Sequence, residues 1–227
     1  MERSDRGRRD FLPGVLAAGG FAAAPGTLQA RAQTPAPGDS PFLPAYARAQ
    51  SYRSLKQSSY DTTGGNSDRW PIAGGAVKDV FNAQGAGVIT HIWFTIAARS
   101  GDHLKELVLR AYWDGNAKPS LEAPIGDFFG LGLGDYYLYQ SVPLSVGSDK
   151  ALNCFFPMPF QKHARITVTN EGSRKVDALY FNIDYRQYSK PLAADQLYFH
   201  AQYRQANPNS VLVGAASTRT ARTRHRR

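Results

Sequence analysis

Between residues 86 and 203 short runs of Val, Ile, Leu, Phe, Tyr and Trp alternate with breaks at Gly, Pro, Asn and Asp. That pattern predicts strands separated by turns. Val88-Ile89-Thr90-His91-Ile92-Trp93-Phe94-Thr95-Ile96 is the first strong strand. In the second, Leu107 to Trp113, the residues Leu107, Leu109, Ala111 and Trp113 share one face. Arg165 to Thr169 alternates apolar with polar residues, as a half-buried strand does. Leu179, Phe181, Ile183 and Tyr185 share a face of the next, with Asn182 and Asp184 opposite, and Gln196 to Tyr203 predicts a last strand. Helical periodicity is confined to a short stretch near 46–57, which predicts one short helix. Closely spaced strands without intervening helices predict an all-β domain, a β-sandwich or jelly roll.

Composition changes this picture at the two ends. The chain has 227 residues and a net charge of +9, which first reads as a nucleic-acid signal. Residues 1–32 contribute +2 of it and residues 215–227 contribute +5, so the body between them is nearly neutral. At the amino end Arg8-Arg9-Asp10-Phe11-Leu12 has the form of a twin-arginine export motif. A modest apolar stretch follows, then Ala30-Arg31-Ala32, a small-x-small cleavage site. That stretch falls short of the roughly 20 apolar residues a membrane span needs, so no stable membrane anchor is expected. The expected plan is a signal peptide over 1–32, a flexible Pro/Ala/Gly linker over 33–45 and a jelly-roll domain over 46–208. Residues 209–227, with five arginines and no acid, form a basic tail, either disordered or read from a shifted frame. Export to the periplasm or outside the cell leaves no nucleic acid for that tail to meet.

Candidate chemistry concentrates in three polar stretches. Ser58 to Asp68 is a glycine-kinked loop holding Asp61 and Asp68, readable as a displayed binding loop or as a connector. Tyr112-Trp113-Asp114-Gly115 puts Asp-Gly directly after a strand, the signature of a hairpin turn. Pro119 to Gly130 places Glu122 and Asp127 beside Phe128 and Phe129. Sugars stack on aromatic rings and donate hydroxyl hydrogens to carboxylates, and a carboxylate pair is what glycoside hydrolysis uses. The same acids could equally line a turn. The five histidines lack metal-ligand spacing, so neither a metal nor another cofactor is expected. Cys154, beside Phe155 and Phe156, reads as inert core.

Ser59-Tyr60-Asp61 with Gly64-Gly65-Asn66, His91-Ile92-Trp93, Tyr112-Trp113-Asp114-Gly115, Pro119-Ser120-Leu121-Glu122-Ala123-Pro124, Gly126-Asp127-Phe128-Phe129-Gly130 and Pro157-Met158-Pro159-Phe160 occur in one order. Each motif is weak alone, but the ordered set resembles glycoside hydrolase family 172, also catalogued as domain of unknown function 2961. The resemblance spans roughly 50–208. It implies an exported bacterial enzyme acting on fructofuranose or arabinofuranose linkages, with tandem jelly rolls and oligomers built on trimers. It also implies a retaining mechanism with two glutamates and no metal. Those glutamates belong to motifs resembling Gly-Glu-Gly-Asp-Asp and Gly-Thr-Glu-Asp-Tyr in the family's later half, and this sequence contains neither.

The resemblance therefore implies the first of two jelly rolls, here incomplete, from a furanoside-acting hydrolase, without catalytic residues of its own. Asp61, Asp68, Trp113, Asp114, Glu122, Asp127 and Phe128 are its candidate substrate contacts. The alternative is a carbohydrate-binding or assembly module whose sheet displays Trp113, Phe128 and Phe129. A product without a stable fold is the third reading.

Overall fold

A computed structural model describes residues 47–206; the leader with Arg8 and Arg9, the linker and the basic tail lie outside the described residues. Residues 50–206 form one compact unit of two sheets enclosing a continuous apolar core. Its strands are β1 (Tyr52–Ser58), β2 (Trp70–Ile72), β3 (Val77–Gln84), β4 (Gly87–Ala98), β5 (Leu107–Trp113), β6 (Leu121–Pro124) and β7 (Tyr139–Gln140). After these come β8 (Leu144–Val146), β9 (Leu152–Cys154), β10 (Met158–Phe160), β11 (His163–Asn170), β12 (Val176–Tyr188) and β13 (Ala201–Gln202). Two single-turn helices, α1 (His103–Glu106) and α2 (Ile125–Phe128), flank β5 and β6.

The larger sheet has the order β1-β12-β4-β9-β8-β7, with β10 also on β4 and β2 also on β12. The smaller sheet has the order β13-β6-β5-β11-β3. All pairs are antiparallel except β13 on β6. The expected all-β sandwich is thus the fold.

Period-2 alternation builds the core. Leu107, Leu109, Ala111 and Trp113 of β5 all point inward and are buried, as do Leu179, Phe181, Ile183 and Tyr185 of β12. In β4, however, Ile89 and Ile92 are both buried although three residues apart. A bulge explains this: His91 pairs with Asp184 and Ile89 with Tyr185, leaving Thr90 as the extra residue. The bulge resets the alternation, so Ile92, Phe94 and Ile96 face inward while His91, Trp93 and Thr95 stay half-buried on the outer face.

Two local expectations are corrected. The helix near 46–57 is instead β1, whose seven residues pair with the second half of β12 from Tyr52↔Tyr188 to Ser58↔Asn182. A thirteen-residue strand needs hydrogen-bond partners on both sides, and that demand overrides a weak local helical period. The last strand, expected over Gln196–Tyr203, is only β13, because side chains rather than a ladder fix the residues before it. Cys154 is fully buried, and burial pushes its thiol up to about 12, so it is an inert core residue.

Phe94 is fully buried and meets Phe129 and Phe181 edge-on at 6.0 and 6.5 Å. Phe94→Ala should cost about 3–5 kcal/mol and lower Tm by roughly 10 °C in thermal denaturation followed by circular dichroism. Val142→Ser, at a side chain 93% exposed, should stay within about 0.5 kcal/mol of the parent chain.

Candidate functional site

The carboxyl end of β5 is where the candidate residues converge. Asp114 and Gly115 follow it with φ of 55° and 82°, the two successive left-handed residues of a type I′ turn, where Gly is favoured. This turn aims the Asp114 carboxylate at the corner between β10 and β11. One oxygen accepts the backbone N–H groups of Gln161, Lys162 and His163 at 3.0, 2.7 and 3.1 Å. The other accepts the Tyr198 hydroxyl. Burial alone would raise the Asp114 pKa, but Tyr198 and the three amides together hold it below its ordinary value. The same bond pushes the Tyr198 phenol up to about 12.

Trp113 turns the other way. Its ring is 1% exposed in the core, and its indole N–H donates to the Phe199 carbonyl at 2.8 Å. Phe128 and Phe129 are buried as well. The sheet therefore does not display Trp113 or Phe129 to a ligand, and Phe128 reaches the surface only along one groove. Strand alternation puts Trp113 inside, and α2 folds both phenylalanines onto the core.

Each remaining acid is held by its own partner. Both oxygens of Asp127 lie 2.8 Å from Lys105 Nζ, which also donates to the Gly132 carbonyl at 2.7 Å. Glu122 accepts from Arg110 Nε at 2.6 Å, directly across the β5–β6 ladder. Asp61 accepts the Thr63 hydroxyl at 2.7 Å and the N–H groups of Thr63 and Ser67 at 2.9 and 3.1 Å. Led by the Thr63 hydroxyl, these bonds lower its pKa. Asp68 accepts the Asp61 N–H at 2.7 Å. These bonds close the 58–68 loop on itself, so Asp61 and Asp68 serve it as a turn. Glu122 and Asp127 are thus tied to different cations, Arg110 and Lys105.

The concave feature nearest the candidates is an open groove of about 390 Å³ beside α2. Asp127 and Phe128 line one side; Phe156, Phe199, His200 and Tyr203 line the rest. Phe199 forms its floor, edge-on to Phe128 at 6.4 Å and tilted against Phe156 at 5.2 Å. Of the seven candidate contacts only Asp127 and Phe128 reach this groove. Phe156, Phe199, His200 and Tyr203 were missed, since 196–203 read as an ordinary strand. The signal available was the aromatic density of Tyr198, Phe199 and Tyr203 beside a histidine.

The groove thus combines an aromatic floor with a carboxylate, an imidazole and a phenol at its rim. The family model for the GH172 first β-sandwich domain matches residues 50–207, and the chain belongs to that glycoside hydrolase family. No curated protein matches the chain. Among solved structures, one described as "Structure of infectious bursal disease virus Gx strain" matches at 12% identity and a TM-score of 0.30. That match covers 68% of this chain and 37% of the viral one, well under two thirds of its length.

The Asp114 clamp has a pH signature. Its folded pKa is lowered, so its contribution is present above the ordinary carboxylate value of about 3.9 and lost as pH falls through the folded value. The phenol of Tyr198 is raised, so its share is present below about 10 and fades as pH rises through about 12. Limited proteolysis should show residues 189–206 protected at neutral pH and cleaved below about pH 4. Asp114→Asn should cleave faster at neutral pH and lose most of that acid step.

Proposed function

We propose that this chain acts as the amino-terminal, non-catalytic module of an exported glycoside hydrolase that acts on fructofuranose or arabinofuranose linkages. Its groove beside α2 contributes sugar contacts through Phe199, Tyr203, His200 and Asp127. The supporting observation is the state of the acids. Asp61, Asp68, Asp114, Glu122 and Asp127 are each committed to a turn, a clamp or a cation. A glycosidase needs one carboxyl group protonated near neutral pH, with a raised pKa, and a second free to act as nucleophile or base. Asp61 and Asp114 are shifted downward instead. Glu122 and Asp127 would have to leave Arg110 and Lys105 to do either task.

Chemistry then falls to the glutamate motifs of the family's later half, in oligomers built on trimers, with this sandwich shaping the substrate's surroundings. The neutral body of the chain and the Arg8-Arg9 leader fit export of an already folded domain that has no need of disulfides.

The purified chain should release no sugar from nitrophenyl arabinofuranoside or from a fructofuranosyl disaccharide above the buffer rate. Release that disappears in Asp127→Asn would overturn the non-catalytic reading. Replacing Arg8 and Arg9 together by lysine should retain a fused reporter in the cytoplasm, while unchanged export would refute the twin-arginine route.

A further inference from the structure

We infer that the outer face of the larger sheet is a second, shallow carbohydrate-binding surface, a platform for a neutral, hydroxyl-rich oligosaccharide centred on Trp93 and Asn182. Ser58, Asn182, Trp93, Asn153 and Ser145 stand opposite one another in a single cross-strand row over β1, β12, β4, β9 and β8. All five are half-buried, while their inward neighbours Ser59, Phe181, Phe94, Cys154 and Val146 are buried. At about 4.8 Å per strand the row runs roughly 19 Å, enough for several sugar units. Among the described residues the Trp93 indole N–H, the Asn182 amide and the Ser58 and Ser145 hydroxyls take part in no side-chain hydrogen bond. At these four positions the sheet presents donors, acceptors and an indole with unused bonding capacity, while Asn153 is held by His91 and the Ala151 carbonyl.

The opposite face of the sandwich sets the contrast. There Arg110 bridges Glu122, Glu171 and Thr169 at 2.6, 2.7 and 3.0 Å, and Arg165 pairs with Asp79 while lying over the Tyr112 ring. That surface satisfies itself. On the larger sheet, beside the row, Asp184 meets Nδ1 of His91 at 3.2 Å and Lys56 at 3.9 Å. The row itself is neutral, which suits hydroxyl groups and not an ionic ligand. Phe155 extends it, its ring stacked on His91 at 4.6 Å and 8° and 48% exposed. Its outward side is a ready stacking surface for a sugar.

The ligand class rests on the carbohydrate reading above, while the surface itself does not depend on the groove. The test titrates the full chain with an inulin-derived fructo-oligosaccharide, an arabinofuranosyl oligosaccharide and a cello-oligosaccharide, followed by calorimetry. Near-ultraviolet circular dichroism verifies that each variant is folded. Trp93→Phe and Asn182→Ala should each weaken binding about three- to tenfold, at unchanged Tm. Binding of the pyranose oligomer with the same losses would support this surface while overturning the furanoside reading. Binding lost in Tyr203→Ala but kept in Trp93→Phe would overturn it and leave the groove as the sugar site. No binding of any oligomer would also overturn it, as would self-association of the chain that Trp93→Phe abolishes without sugar binding.

Discussion

The carboxylate of Asp114 ties together parts of the chain that the sheets alone leave loose. Three successive amides, from Gln161 to His163, turn the corner between β10 and β11, and backbone N–H groups at such a corner need acceptors. A type I′ turn supplies one at the right place because both of its central residues adopt positive φ. The same group takes the hydroxyl of Tyr198, and the preceding Trp113 holds the carbonyl of Phe199 from inside the core. Two neighbouring residues, one facing inward and one at the rim, thus lay the segment after β12 across the end of the sandwich. The β13 ladder adds only two residues of pairing. Without the Trp113–Asp114 anchor the floor of the groove, Phe199, would have little to hold it against Phe128 and Phe156.

The two outer faces follow different electrostatic regimes. On the smaller sheet, arginines and acids interlock across strands, an arrangement that orders side chains and gains modest stability at an exposed surface. On the larger sheet Lys56 and Asp184 pair on one side of the row, Arg99 and Asp177 on the other, and the row between them carries no charged side chain. A self-satisfied face has little affinity to offer a ligand, since any new contact must first displace an existing one. A face with unused donors on a rigid backbone loses little entropy on binding. The bulge at Thr90 underlies this arrangement, because resetting the alternation keeps both His91 and Trp93 outward without exposing Ile89 or Ile92.

Much of the fold was legible in the sequence. Strands β4, β5, β11 and β12 carry their alternation openly, and Cys154 lies in an apolar setting in sequence and is buried. Strand β1 was not legible, because Tyr52 to Ser58 is an edge strand with polar residues on both sides; its conformation comes from β12. The candidate site was half legible. Asp127 and Phe128 line the groove, yet Trp113 is as strongly apolar in sequence as an exposed stacking residue would be. Its inward direction follows only from strand phase, which the Leu107–Leu109–Ala111–Trp113 face had already marked. The groove's other wall was hidden because 196–203 is fixed by Asp114 and Trp113, residues more than eighty positions earlier.

The placement of acids bears on the non-catalytic reading proposed for this sandwich. In isolation a carboxylate beside an aromatic pair looks catalytic, but reactivity depends on what else touches it. Lys105 meets both oxygens of Asp127 and also draws in the Gly132 carbonyl, so this acid fixes the loop after α2. Arg110 does the same for Glu122 across the ladder. An acid held this way is fixed in direction, which suits it to shaping a wall. The features left with unused capacity are neutral: the indole and amide of the outer row, and the aromatic rings of the groove.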